Sequence, residues 1–417
     1  MSQPIRVLIL TQYFPPETGA PQTRLFELGS RLVARGFEVD VLTALPNYPR
    51  GRVYDGYRGK LYAVEQNSGM RVVHTPVFPS RSPRLLPRML CYFSFVFSSI
   101  LFGLFLVRRP NVLICESPPL FLGLSALVLK IVFGCRWIFN VSDLWPESVV
   151  RMGMHNRKPF VWLAKRLEEA CYRGSDAQTG QSPGIVRGIR ATHPRGRVEL
   201  ISNGCDCQLF RADRRDRELR QRLGVDDKAV VGYAGLIGLA QGIGVIGEVA
   251  GQFRDDERVA FVIAGDGPLR EQLEQQLAAE HLPNVVFTGW LPKQEMPAMV
   301  ASFDVALIPL KYFIPGALPS KVYESMASQV PIVLAADGDP KELIERADAG
   351  IVVKYDADEI AAAVRRLADD PRERRRLGEN GRRYVLEHHQ RHMIADKLGT
   401  LIVSLTDYGA VKQRRAA

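Results

Sequence analysis

Short apolar runs alternate with longer amphipathic stretches along the whole chain, a pattern that predicts parallel strands wrapped by helices. Ile5 to Leu10 has strand length and leads through the loop TQYFPPETGAPQT into Arg24 to Arg35, which puts Leu25, Leu28 and Leu32 on one helical face. Gly36 closes that helix, and Phe37 to Thr43, Val112 to Cys115 and Trp137 to Val141 predict further strands of a first α/β domain. After the polar helical stretch Ser182 to Arg197 a second series begins: Val198 to Ile201, Val230 to Ala234, Val259 to Ala264, Val285 to Thr288, Val305 to Ile308 and Ile332 to Ala335. Each run is followed by a Gly, Pro or Asn turn and a helical pattern, which predicts a second doubly wound domain. The boundary is expected between Gly180 and Asn203, giving domains 1–190 and 191–381, with arginine-rich helices from Pro371 to Ala417.

One segment breaks the alternation. Met89 to Val107 is an uncharged run of 19 residues, MLCYFSFVFSSILFGLFLV, bracketed by Arg81, Arg84, Arg88, Arg108 and Arg109. About 20 apolar residues cross a bilayer, yet a true span would put the flanking strands of one domain on opposite sides of the membrane. A buried core helix is the second reading. The favoured third is a helix in the interface of the cytoplasmic leaflet, with Tyr92, Phe93, Phe95, Phe97, Phe102 and Phe105 among acyl chains and the arginines on lipid phosphates. Leu120 to Phe133 is also apolar and is expected in the core.

Composition narrows the classes. With 417 residues, 46% hydrophobic and 24% charged, the chain is an ordinary folded protein of two-domain length. The net charge of +10 suits an anionic membrane or a phosphorylated ligand; nucleic acid fits less well, because the arginines flank apolar sequence and do not interleave with stacking aromatics. Six cysteines form no CxxC pair and the histidines no metal spacing, so neither a disulfide scaffold nor a metal site is expected. MSQPIRVLIL carries no basic n-region or cleavage site, which predicts a cytoplasmic protein.

In open α/β sheets, ligands sit beyond the carboxyl ends of the strands. Glycine turns occupy that position twice, at Gly19 after the first strand and at Gly235, Gly238 and Gly242 in GLIGLAQG. Such turns let backbone amides approach a phosphate. The first loop lacks GxGxxG and the chain lacks GxxxxGK[ST], which argues against dinucleotide and P-loop chemistry. The most specific cluster is PSKVYESMAS. There Ser320 is placed to cap a helix, with Lys321 and Glu324 one turn apart, an ammonium for a diphosphate and a carboxylate for ribose hydroxyls; the plain alternative is an exposed Lys/Glu pair. Asp143 in DLWPES follows a strand and is a candidate to orient or deprotonate a hydroxyl, or simply to cap a turn.

The succession FPPETGAPQTR, PNYPRG, DLWPES, SNGCD, YAGLIGLAQG, AGDGPLRE, FTGW and PSKVYESMAS resembles glycosyltransferase family 4, in particular the subgroup of bacterial N-acetyl-L-fucosamine transferases of O-antigen and capsule synthesis. The resemblance runs from about Ile5 to Leu398. It implies the GT-B fold, two Rossmann-like domains across an interdomain cleft. The nucleotide sugar would sit in the second domain and the acceptor in the first, with a C-terminal helix, about 382–417, packing back onto the first. It also implies retention of anomeric configuration without an essential metal or other cofactor. Carried over by position, Glu324 matches the second glutamate of the family's EX7E element, whereas the first falls on Gly316. The basic residue many members place before Gly242 is Gln241 here, which leaves Lys321 for the diphosphate. Asp266, Gly267 and Trp290 would border the nucleotide, and Asn47, Tyr48 and Trp145 the acceptor.

The leading expectation is a retaining transferase that moves a sugar from a UDP-sugar to an undecaprenyl-diphosphate-linked saccharide at the inner face of the cytoplasmic membrane. A nucleotide-sugar epimerase of the same fold and a non-catalytic sugar-nucleotide-binding protein are the alternatives.

Overall fold

A computed structural model describes residues 4–80, 82, 84–148, 158–238 and 241–416. Arg81, one of the basic residues flanking the apolar run, lies outside the described residues. The chain divides into two compact units, Met1–Asn203 with His392–Ala417, and Gly204–Arg391.

The first unit is built on eight strands: β1 (Arg6–Leu10), β2 (Glu38–Ala44), β3 (Ala63–Asn67), β4 (Met70–Thr75), β5 (Val112–Ser117), β6 (Arg136–Val141), β7 (Ala177–Gly180) and β8 (Val198–Leu200). Their order is β3-β4-β2-β1-β5-β6-β7-β8, parallel throughout except for the β3–β4 hairpin. Helices α1 (Ala20–Ala34), α2 (Leu85–Leu106), α3 (Leu122–Phe133), α4 (Lys158–Gly174) and α5 (Pro183–Thr192) belong to it, as does the last helix of the chain, α14 (Arg391–Ala416). The central strands β1, β5 and β6 read as nearly continuous apolar runs because both faces are covered. Leu8, Leu10, Leu113, Trp137 and Phe139 pack with Phe95 of α2 and Leu129 of α3. The alternate residues Val7, Ile9, Val41, Ile114 and Ile138 meet Leu25, Leu28 and Leu32 of α1 and Ile394, Leu398 and Ile402 of α14.

The second unit has six parallel strands in the order β11-β10-β9-β12-β13-β14: β9 (Ala229–Ala234), β10 (Val259–Ala264), β11 (Val285–Gly289), β12 (Val305–Pro309), β13 (Ile332–Ala335) and β14 (Gly350–Val353). Its helices are α6 (Arg217–Arg222), α7 (Val245–Gly251), α8 (Arg270–Ala279), α9 (Met296–Ala301), α10 (Ser320–Ala327), α11 (Asp339–Ala347), α12 (Ala357–Asp369) and α13 (Pro371–His388). Strand order reverses at β1 in one sheet and at β9 in the other. Loops leaving β1 and β5, and those leaving β9 and β12, therefore diverge and open a crevice at the carboxyl edge of each sheet.

Several expectations need correction. Val198 to Ile201 does not open the second domain, since β8 pairs with β7 and closes the first sheet; the division falls after Asn203 and not at 190. The helical tail is two elements. Helix α13, ending at His388, packs in the second unit on α10, and only residues from His392 onward belong to the first unit, so the second extends to Arg391 and not to 381. The hairpin β3–β4 escaped the strand count although Ser68 and Gly69, both at positive φ, make its turn.

The apolar helix α2 fits neither the span nor the pure core reading. Cys91, Phe95, Ser99 and Gly103 face inward, and Ser99 Oγ donates to Ser125 Oγ at 2.9 Å. Leu86, Leu90, Phe93, Phe97, Leu101 and Phe105 are exposed, stepping mostly by four residues. Phe95, expected among acyl chains, is completely buried. Arg108, expected on lipid phosphates, is already held by Asp40, its Nε 3.1 Å from Oδ1. Helix α3 was expected in the core; Leu122, Ala126 and Leu129 are buried there, while Leu124, Leu127, Ile131 and Val132 are exposed.

Candidate functional site

In the second unit the loop leaving β9 is folded against the loop leaving β10. Gly235 N donates to Ala264 O at 2.8 Å, Ile237 N to Asp266 O at 3.0 Å and Gly265 N to Gly289 O at 3.0 Å. Two glycines make this possible: Gly235 and Gly265 sit at φ 139° and 143°, and a Cβ on Gly265 would lie 1.9 Å from the Gly235 carbonyl oxygen. The amides of Gly235 and Ile237 are therefore spent inside the protein, contrary to the expectation that this turn offers them to a phosphate.

The side chain that reaches the turn is Lys321, in the first turn of α10. Its Nζ donates to Tyr233 Oη at 2.7 Å and lies 3.9 Å from the centre of that ring; Tyr233 Oη in turn donates to Leu236 O at 2.6 Å. A Cβ on Gly235 would be 3.1 Å from the ammonium nitrogen. Burial pushes the Lys321 pKa down to about 7, and the charge of Glu324 pulls it partly back. This is not an exposed Lys/Glu pair: it is a largely enclosed ammonium beside a glycine turn, with one of its three N–H groups donated among the described residues.

Around it the expected residues fare unevenly. Ser320 is the first residue of α10 and makes no capping bond, Pro319 holding the cap position. Gly316 sits at φ 78°, a conformation that a glutamate would adopt only with strain. Gln241 is half-buried beside Gly238, and Gly242 O accepts from Tyr355 Oη at 2.6 Å. Asp266 is exposed and its Oδ1 accepts from Gly267 N at 2.8 Å, while Trp290 projects from the end of β11 at 60% exposure.

In the first unit a buried polar cluster lies at the carboxyl ends of β5, β6 and β7. Arg24 Nη2 donates to Glu116 Oε1 at 2.5 Å, with both side chains at most 5% exposed. Glu116 also accepts from Asn140 Nδ2 at 2.5 Å and from the Ser142 hydroxyl, and Thr179 Oγ1 donates to Asn140 Oδ1 at 2.6 Å. With its oxygen turned to the guanidinium, the Gln181 amide accepts from Arg24 at 2.6 and 2.9 Å. Asp143 lies beside this cluster; burial first, then the charge of Glu116, raises its pKa to about 6, against the pull of Arg24. None of Arg24, Glu116, Asn140 or Gln181 was singled out from the sequence, although a charged residue ending the apolar run VLICES was a usable signal.

Along the other loops, Gly19 is exposed at the start of α1. Trp145, a candidate either for an acceptor contact or for the core, is partly buried and packs edge-on against Phe121 at 5.4 Å and Phe160 at 5.9 Å, beside the core. Asn47 likewise turns inward, its Nδ2 donating to Leu45 O at 2.9 Å. Tyr48 keeps 41% exposure, its ring 5.5 Å from that of Tyr13. The amides of Asn47 and Tyr48 both donate to Glu17 Oε1, at 2.7 and 2.8 Å. Among the described residues no three His, Cys, Asp or Glu converge as a metal site.

Comparison with known proteins adds to this geometry. Residues 19–204 match the glycosyl transferase 4-like domain and residues 215–384 the glycosyl transferases group 1 family. The alpha-D-kanosaminyltransferase of Streptomyces kanamyceticus is 35% identical over 46% of this chain, and the match spans half of that relative's length. A glycosyl transferase assigned to colanic acid biosynthesis in Escherichia coli (strain K12) is 27% identical over 80% of this chain and 84% of its own. The GDP-mannose-dependent alpha-mannosyltransferase of Mycolicibacterium smegmatis is 28% identical over 92% of this chain and 93% of its own. Among solved structures, sucrose-phosphate synthase from Thermosynechococcus elongatus superposes with a TM-score of 0.78 at 19% identity, covering 97% of this chain and all of the other. Anabaena HepE in complex with UDP-glucose gives 0.70 at 17%, covering 96% and 100%. These structural likenesses show the fold, GT-B with two Rossmann-like domains.

Proposed function

Because the chain is a glycosyltransferase, a glycosyl transferase 4-like domain followed by a group 1 glycosyl transferase domain, we propose that it moves a sugar from a nucleoside-diphosphate sugar to a lipid-linked saccharide in surface-polysaccharide synthesis. The proposed donor is UDP-N-acetyl-L-fucosamine and the proposed acceptor is carried on undecaprenyl diphosphate; both come from the motif resemblance. The colanic acid relative supports the pathway class and the UDP-glucose complex of HepE the UDP carrier, while the GDP-mannose-dependent relative names the competing carrier.

The observation that carries this reading is the Lys321 ammonium, enclosed against Tyr233 at the Gly235 turn. In the proposed step the bond from the anomeric carbon to the diphosphate breaks towards an oxocarbenium-like centre. Lys321 stabilises the charge gathering on the leaving oxygens, and Glu324 holds the ribose. The acceptor hydroxyl forms the new bond on the same face, with retention, and its proton passes to the leaving phosphate. No essential metal is proposed, the charge role falling to Lys321.

The proposed location is the inner face of the cytoplasmic membrane, where a lipid-linked acceptor resides. Helix α2 packs against α3, where Leu127 and Ile131 are exposed, and α3 packs against α4, where Trp162 and Leu163 are exposed near Lys165 and Arg166 in sequence. An apolar face with basic neighbours suits an anionic leaflet.

Replacing Lys321 by Ala tests the core of the proposal. The expected loss is about a hundred- to a thousandfold in kcat with a UDP-sugar donor, measured by UDP release in the presence of a lipid-linked saccharide acceptor. Wild-type turnover in Lys321→Ala would reject the assignment.

A further inference from the structure

The arginines that bracket the apolar run are not equivalent. At the C-terminal end of α2, Arg108 is held by Asp40, and Arg109 Nε donates to Phe133 O at 2.7 Å. At the other end Arg84 is exposed and Arg88 half-buried, and among the described residues no carboxylate pairs with either. Arg88 Nη2 donates to Tyr92 Oη at 3.3 Å, a neutral acceptor that leaves the charge of the guanidinium unmet.

Their position matters as much as their charge. Helical spacing puts Arg88 on the face of Cys91 and Phe95, which turns inward, and not on the outward stripe of Leu86, Leu90, Phe93 and Phe97. Cys91 Sγ accepts from Gln12 Nε2 at 3.3 Å, just past the end of β1, and the Phe93 ring lies 4.9 Å from that of Phe121, just past β5. These contacts set the head of α2 at the carboxyl edge of the first sheet, beside the crevice opened by the loops leaving β1 and β5. Arg84 and Arg88, which precede them along the helix, stand beyond that edge.

A guanidinium fork binds phosphate oxygens two at a time, and an exposed apolar stripe takes a hydrocarbon chain. A nucleoside diphosphate would satisfy the arginines and leave the stripe bare. A bilayer phospholipid belongs on the stripe's side of the helix, away from Arg88. An isoprenoid diphosphate satisfies both, with its charged end at the crevice and its chain passing the head of α2 onto the stripe.

We propose that Arg84, Arg88 and the Tyr92 hydroxyl bind the diphosphate of an isoprenoid-linked acceptor, and that Leu86, Leu90 and Phe93 take the start of its chain. The assignment rests on the transferase reading above and deepens it, giving Arg84 and Arg88 to the substrate in place of the bilayer phosphates they were expected to meet.

The experiment measures by calorimetry the binding of farnesyl diphosphate to the full chain in excess UDP, which keeps the probe out of a nucleotide site. Inorganic pyrophosphate and dihexanoyl phosphatidylglycerol are the comparison probes. Farnesyl diphosphate is expected to bind about tenfold or more tighter than either. Arg84→Gln combined with Arg88→Gln should weaken it about tenfold or more, with UDP affinity and melting temperature unchanged, and Leu90→Gln should weaken farnesyl diphosphate but not pyrophosphate. Wild-type affinity in the double arginine variant overturns the site. Equal affinity for phosphatidylglycerol overturns it in favour of bilayer headgroups, and equal affinity for pyrophosphate removes the chain contact and overturns it as well. If the double variant melts early, a photoreactive farnesyl diphosphate analogue on the wild type decides: cross-links within residues 84–93 support the site, and cross-links confined elsewhere refute it. Arginine-dependent binding in a protein that releases no UDP from any UDP-sugar supports the site and fails the transferase reading, whereas full turnover on a lipid-linked acceptor by the double variant, with its acceptor KM unchanged, fails the site alone.

Discussion

At the residue scale, the decisive fact about Lys321 is its surroundings, which hold its pKa near 7 where a solvated lysine stays above 10. Below pH 7 the free protein already carries the ammonium that a diphosphate needs. Above it, binding must draw a proton from solution, and affinity falls by up to tenfold per pH unit until the pKa of the complex is reached. A UDP-sugar, whose phosphates are ionised throughout this range, is therefore expected to bind with no proton uptake at pH 6 and close to one proton at pH 8.5. Calorimetry in buffers of different ionisation heat measures that difference, and Lys321→Ala should abolish it; an uptake independent of pH would place the titrating group elsewhere. Lys321 and Glu324 were legible in the sequence because they sit one helical turn apart in a single short segment. Arg24 and Glu116, 92 positions apart, were not: only the sheet brings them together.

At the element scale, α2 shows how little composition says about orientation. Every position from Met89 to Val107 is uncharged, so the polar–apolar contrast that normally marks a helix face is missing. Packing supplies the missing distinction. Phe95 is sealed against the sheet, whereas Phe97 and Phe105 are 70% and 79% exposed. Transferring one such side chain from water to lipid is worth about 1.5–3 kcal/mol, so Phe97→Glu with Phe105→Glu should largely abolish sedimentation with anionic liposomes while leaving the melting temperature near that of the wild type. Phe95→Glu should instead cost stability, since it buries an unpaired carboxyl. Equal sedimentation of wild type and the double variant would refute the membrane face.

At the scale of the whole molecule, each unit has its own sheet, its own core and its own crevice at a strand-order reversal. The proposal puts the nucleotide in one and the saccharide in the other. Hydrogen exchange with a UDP-sugar is therefore expected to slow amides around Gly235 to Gly242 and in the first turn of α10; protection confined to residues 12–48 would move the donor to the first unit. The alternation of strand and helix signals was enough to read two doubly wound domains, because hydrophobic periodicity is a local property that each segment carries by itself. Motif spacing was enough to place Lys321 and Glu324. Other features depended on contacts between distant segments: β8 joining the first sheet, the division of the C-terminal helices, the outward stripe of α2, the amides of Gly235 and Ile237 spent on the neighbouring loop, and the burial of Glu17 under the amides of Asn47 and Tyr48. Burial and hydrogen bonding are decided by which surfaces meet, and a linear pattern records what each segment prefers without recording what it finally touches.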